Sequence, residues 1–219
     1  GMGLSILSGG VDLSVGAVVG LTGVIVGILM RAGTGLLLSV GAGIAVSAGV
    51  GLINGFFISR LDVPPFVATF STMGMAHGLA LVISNEGSVW GIDPRIRWLV
   101  DGHLMGLPTP LLVAALFSVG FWILMKFTAY GIGLYALGGN EEAARTSGVP
   151  VHSYRALAYV ISGGMAGAAA VMLIARMNSA LPTAGRAPLP AGRGDDRTRE
   201  PGPARSSAGW CRPPARATP

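Results

Sequence analysis

Marking only Asp, Glu, Lys and Arg along the chain leaves five long uncharged stretches. Eighteen residues separate Asp12 from Arg31, 28 separate Arg31 from Arg60, and 23 separate Asp62 from Glu86. A further 24 lie between Asp101 and Lys126, with His103 at the edge, and 20 lie between Arg155 and Arg176. An α-helix rises about 1.5 Å per residue, so crossing a hydrocarbon core of roughly 30 Å takes about 20 residues. All five stretches reach that length, the first only just. Buried helices of a soluble domain would carry polar faces, and these have almost none. The pattern predicts an all-α, polytopic transmembrane helix bundle of about five spans, the first of them a candidate re-entrant segment. Pro64-Pro65 marks the start of the third span, since proline is tolerated in a first turn.

The second stretch adds a packing signal. Gly35, Ser39, Gly43, Ser47, Gly51 and Gly55 recur every four residues. At about 100° per residue this places small side chains on one slowly rotating stripe. Lipid gives helices no hydrophobic reason to associate, so close backbone approach along such a stripe supplies van der Waals contact instead. Gly16/Gly20 and Gly23/Gly27 repeat the spacing in the first span, and Ala158, Ser162, Ala166 and Ala170 repeat it in the fifth. A flexible linker would be glycine-rich too, but not packed with Val, Ile and Leu.

Composition agrees with a membrane protein. Of 219 residues, 51% are hydrophobic and 11% charged, against about a quarter charged in a soluble domain. The net charge of +5 is mostly local: residues 186–219 carry seven arginines against Asp195, Asp196 and Glu200. A basic tail is poor ground for a nucleic-acid partner, and none is expected. Cys211 is the only cysteine, which excludes an intrachain disulfide and a Cys-based metal site. The chain starts with Gly, without a basic segment before the first apolar run, so the true start is expected upstream.

The connection from Lys126 to Arg155 has three Lys/Arg and two Glu, and is expected to be cytoplasmic; residues 86–103 then lie outside, with Trp90 and Trp98 at the outer interface. Within that connection Asn140 is a good N-cap, and Glu141 and Glu142 sit on the positive end of a helix dipole. Ala143 and Ala144 propagate the turn, Gly148 can close it in a left-handed conformation, and Pro150 prevents resumption. A helix of about two turns is thus expected to stand alone between two spans. It is too short to be stable unless it packs on its own spans or on a partner.

Asp12 has two readings. It caps the first span with help from Ser14, or it lines a substrate path, since ionisable residues at membrane depth are rarely idle. Its place at the edge of the apolar run favours the cap. Asn54, on the glycine side of span two, is read as interhelical glue or as a contact to a polar substrate. His77 sits mid-span with no second ligand one turn away, so no metal is assigned. Gly1-x-Gly3 has no preceding strand, Gly138-Gly139 lacks the Lys-Ser/Thr of a phosphate loop, and no catalytic triad or carboxylate pair stands out. The chain is not expected to be an enzyme or to bind a cofactor.

Ser8-Gly-Gly-Val-Asp-Leu-Ser-Val-Gly16, Ala136-Leu-Gly-Gly-Asn140 with Ser147-Gly148, and Pro182-Thr-Ala-Gly185 resemble the permeases of ribose-type ABC importers. The similarity runs in order from residue 1 to about 185. It implies a transmembrane permease domain over 1–185, incomplete at both ends, in the bacterial plasma (inner) membrane. It further implies a second permease subunit as a homodimer partner, cytoplasmic ATPase subunits that bind ATP, and a periplasmic sugar-binding protein delivering a monosaccharide. Residues Gly138, Gly139, Asn140, Glu141, Glu142, Ala143, Arg145, Ser147 and Gly148 would then form the helix that docks on the ATPase. Related permeases carry branched-chain amino acids or nucleosides, and a truncated fragment that does not transport is the remaining alternative. The first motif favours sugar.

After Gly185 the chain changes character. Arg, Pro, Ala and Gly make up 24 of the last 34 residues, a composition that cannot bury a core and is expected to be disordered. Similar permeases continue after Pro-Thr-Ala-Gly into Tyr-Glu/Gln-Leu-Asp-Ala. Leu189-Pro-Ala-Gly-Arg193 can be encoded by a string that, read one base later, gives Tyr-Gln-Leu-Asp-Ala. Residues 186–219 are therefore expected to follow a reading-frame change in GC-rich DNA. Sequencing the gene across codons 180–195 tests this, and one intact frame through Pro219 would end it.

Overall fold

The computed structural model of the protein describes residues 1–104 and 106–185. The expected disordered tail and frame change lie outside the described residues. Among the described residues the chain forms α1 (Met2–Leu7), α2 (Val15–Arg31), α3 (Leu36–Arg60) and α4 (Pro65–Ser84). A 3-10 turn (Pro94–Arg97), α5 (Trp98–Asp101) and a hairpin of β1 (His103–Leu104) and β2 (Leu107–Pro108) follow. Then come α6 (Thr109–Phe127), α7 (Ala129–Gly139), α8 (Glu141–Thr146) and α9 (Val151–Met177).

Among the described residues, four helices are long and apolar enough to cross a membrane: α3, α4, α6 and α9, of 25, 20, 19 and 27 residues. The first uncharged stretch falls short. α2 has 17 residues and rises about 26 Å, because helix begins only at Val15, beyond an irregular segment around Asp12. The predicted borders of α3 and α4 hold closely, whereas α6 starts only at Thr109, after the β1–β2 hairpin, and α9 starts at Val151, ahead of Arg155. Pro65 opens α4, and left-handed Asn85 and Asn178 terminate α4 and α9.

α2 is the most enclosed of the long helices, surrounded by α3, α4 and α9. The outer faces of α3, α4 and α6 expose Leu37, Leu38, Phe66, Met75, Val82 and Leu116. Water would make that apolar surface costly, whereas a bilayer solvates it.

The tightest contact is the antiparallel seam of α3 on α9, along the predicted stripe. Gly163 faces the Ser47 carbonyl, Gly51 faces that of Tyr159, and Gly55 faces that of Ala156. A Cβ at Gly55 would lie 2.8 Å from the Ala156 oxygen, and one at Gly51 would overlap the Tyr159 carbonyl. His152 Nδ1 and the Ser59 carbonyl close the seam at its far end. Ala158, Ser162, Ala166 and Ala170 are all buried, as are Ser39 and Ser47. Gly35 stands apart from the stripe, exposed and with open space around it.

The connection before α9 differs from expectation. α8 does not stand alone, because α7 fills residues Ala129–Gly139 ahead of it and buries Leu134 and Leu137 with Leu4 and Val151. Pro150 does not block helix resumption either; it is the N-cap of α9, and the interruption lies at Gly148–Val149.

The seam predicts a position-specific response to one methyl group. Gly51→Ala is expected to destabilise the protein by about 1–3 kcal/mol through overpacking. Gly41→Ala, on the open side of α3, is expected to be neutral or to stabilise by up to ~1 kcal/mol through helix propensity. Thermal unfolding in detergent measures both, and equal shifts would contradict the seam.

Candidate functional site

The three sequence motifs converge in space. Their hub is the connection from the end of α1 into the first turn of α2, residues 7–16, where regular helix is absent from Gly10 to Ser14. The Leu7 carbonyl lies against Gly138, where a Cβ would not fit. Arg155 Nε donates to the Ser8 carbonyl at 3.4 Å, and the Thr69 hydroxyl lies between the carbonyls of Pro65, at 2.8 Å, and Val11, at 3.1 Å. Gly10 leaves no space for a side chain beneath the Tyr159 hydroxyl and Pro65. Gly16, in the first turn of α2, faces the last motif: a Cβ there would lie 2.6 Å from the Gly185 carbonyl. Gly185 itself has φ +83°, a conformation that glycine adopts without strain.

Asp12 is buried at 3% exposure within this hub and forms no ion pair among the described residues. Its Oδ1 accepts from the Ser14 backbone N–H at 3.0 Å and from Ser14 Oγ at 2.6 Å. Its Oδ2 accepts from Ser162 Oγ on α9 at 3.1 Å. Asn54 Nδ2 donates to Ser14 Oγ at 3.0 Å, while Thr72 Oγ1 donates to Asn54 Oδ1 at 2.6 Å. Every donor in the sequence Thr72, Asn54, Ser14 points toward the carboxylate. A buried charge without a counterion is tolerated only when such donors replace its water.

The capping reading of Asp12 is therefore corrected. Ser14 holds the N-cap position of α2, yet its side chain makes no capping bond and is turned to Asp12. Asp12 instead ties the hub to α9 directly and to α3 and α4 through Ser14, Asn54 and Thr72. Asn54, fully buried, bonds both the hub and α4.

At the other end of the hub lies α8. Asn140 Oδ1 accepts from the Ala143 N–H at 3.0 Å, Ser147 is the C-cap, and Gly148 turns left-handed with φ +82°. Gly139, Glu142, Ala143, Arg145 and Ser147 are exposed, while Ala144 is buried. Gly138 is the residue of this set that meets the hub backbone. Glu141 is held from two sides, by Arg145 at 3.1 Å within α8 and by Arg155 of α9 at 2.5 Å. The Arg155 hydrogen bond lowers the Glu141 carboxyl below its ordinary value; burial pushes the other way, and Arg145 adds to the lowering.

Sequence reasoning used Arg155 only as a span boundary and missed Thr69, Thr72 and Tyr159. A signal existed in part: Arg155, Tyr159 and Ser162 follow the i, i+4, i+7 spacing of one helical face.

Two apolar clefts open elsewhere. One of about 480 Å³ separates α6 from α9, with Arg176 at its rim; another of about 530 Å³ lies between α3 and α4 over Leu21. Thr72 is the one residue of the Asp12 network that lines either.

The profile of the family described as "Branched-chain amino acid transport system / permease component" matches residues 1–189. The chain belongs to that permease family. The permease is 37% identical over 187 residues to the ribose import permease protein of Bacillus subtilis, covering 84% of this chain and 58% of the relative. It is 36% identical over 180 residues to the galactofuranose transporter permease protein of Escherichia coli, covering 82% of this chain and 53% of the relative. The L-arabinose transport system permease protein of Escherichia coli is 36% identical over 182 residues, with 83% and 56% covered. The permease thus spans just over half the length of these curated relatives. No solved structure matches it. Its span-length apolar helices and its family make it a multi-pass membrane component.

The donor arrangement at Asp12 predicts unequal variants. Asp12→Asn keeps shape but loses charge assistance and turns the Oδ2 acceptor into a donor, which Ser162 meets by reversing its hydroxyl, a cost of about 1–2 kcal/mol. Asp12→Leu leaves three buried donors unmet, at about 1–3 kcal/mol each. Unfolding in detergent is expected to rank them wild type, Asn, Leu with a wide second gap; indistinguishable midpoints would refute the network.

Proposed function

We propose that this chain is part of the membrane permease of a bacterial ABC importer for a monosaccharide, with α8 as the element that docks on a separate cytoplasmic ATPase. The observation that carries the reading is α8 itself. A six-residue polar helix has no stability of its own, yet it is capped at Asn140 and pinned by Glu141 to Arg155, with Glu142, Ala143 and Arg145 left facing out. Its connection to the buried Asp12 network through the hub suits an element that receives force and passes it inward.

The cargo follows from the relatives, whose names specify ribose, galactofuranose and arabinose. The family description names branched-chain amino acids, a second reading that the sugar-specific names of the relatives do not favour. In the proposed assembly the permease pairs with a second copy, a periplasmic binding protein delivers sugar, and ATP is bound by the ATPase alone. Both clefts are mainly apolar, with Ser71 and Thr72 the hydroxyl-bearing residues of the one between α3 and α4; in the proposed assembly the sugar pathway is completed by surfaces of the other subunits.

Purification of the tagged, full-length permease from its own host tests the docking. An ATPase is expected to co-purify, and to be lost with deletion of residues 140–148 and with Glu142→Arg, which alters only an exposed side chain. Retention in both variants would refute the role of α8. Uptake of labelled leucine but not of pentoses in the same cells would shift the cargo to the second reading.

A further inference from the structure

Arg155, Tyr159 and Ser162 lie on one face of α9, and each meets a different residue of the hub. Arg155 bonds the Ser8 carbonyl, Tyr159 covers Gly10, and Ser162 bonds Asp12. Successive contacts step by four and then three residues along α9 and by two along the hub, in the same chain direction.

At the first rung the same Arg155 side chain also binds Glu141 of α8. Its guanidinium has donors in a fixed fork, so Nη2 serves Glu141 while Nε serves Ser8. A lysine has no second nitrogen at a fixed spacing. The Glu141 contact is short and charge-assisted, and the Ser8 contact is long, so Glu141 sets where the fork sits and the Ser8 carbonyl follows.

We infer that Arg155 is a positioning residue that links α8 mechanically to the hub, so that displacement of α8 reaches the buried Asp12 network through the Ser8 carbonyl. The inference rests on reading α8 as the docking element for its purpose, but the link itself is a property of the permease alone. Arg145 provides the internal contrast. It binds Glu141 within α8 and, among the described residues, makes no hydrogen bond or ion pair to the hub, so its loss weakens the α8 ion pairs without breaking the link.

Hydrogen exchange of the full-length permease in detergent, followed by mass spectrometry, reads this directly. Glu141→Gln is expected to raise exchange of the peptide covering residues 8–16 by about five-fold, the scale of a partly exposed ion pair. Arg155→Gln is expected to raise it at least as much, and the double variant no further than Arg155→Gln. Arg145→Gln is expected to leave that peptide unchanged, as are peptides covering 47–55 in all variants. Equal effects of Glu141→Gln and Arg145→Gln, additive effects in the double variant, or no effect of Glu141→Gln would overturn the link. A general loss of stability would loosen residues 47–55 as well, and would count against it too. No ATPase is present in this measurement, so failed docking and a failed link give separate results.

Discussion

In a bilayer the backbone of α3 must come within van der Waals contact of the backbone of α9, because lipid offers no hydrophobic reward for merely bringing side chains together. That approach is the constraint from which the rest of the architecture follows. Glycine and serine every four residues on α3 meet glycine and alanine on α9, and the two longest helices become one rigid unit. α2 is then held between this unit and α4, and the hub takes its course over the polar face of α9.

Two kinds of force divide the work inside this unit. Close packing of small residues holds α3 to α9. Beside this seam, from Asn54 and Ser162 set among those small residues, hydrogen bonds directed at one carboxylate join the hub, α3, α4 and α9 around Asp12. The second arrangement is more specific than the first. Packing tolerates a slip of one turn along a stripe of similar small residues, whereas a carboxylate with three donors has one satisfactory position.

The long helices were legible because their cause is local in the sequence: apolar length, charged borders, and four-residue spacing of small side chains. The limits of α8 were legible for the same reason, since Asn140 and Gly148 act on their own neighbours. The hub was not. Asn54 is 40 residues from Ser14, and Ser162 is 150 residues from Asp12, so no local pattern announces their bonds. α7 escaped notice because its residues, rich in glycine and tyrosine, are weak helix formers that owe their conformation to packing with Leu4 and Val151. α2 was overestimated because an uncharged run measures what can be helical, while Asp12 holds the chain out of helix until Val15.

The separation of Asp12 from Ser162 also bears on how the protein is made. At synthesis rates of about 5–20 residues per second, roughly 8–30 s pass between translation of the carboxylate and translation of its partner on α9. Ser14 and Asn54 emerge early, but Ser162 and the Arg155 fork exist only after nearly the whole described chain has left the ribosome. Until then the entry to α2 is an acidic segment without its full set of donors, and it gains most by staying near the headgroups where water reaches it. Final seating of α2 thus waits on insertion of α9, a helix made more than a hundred residues later.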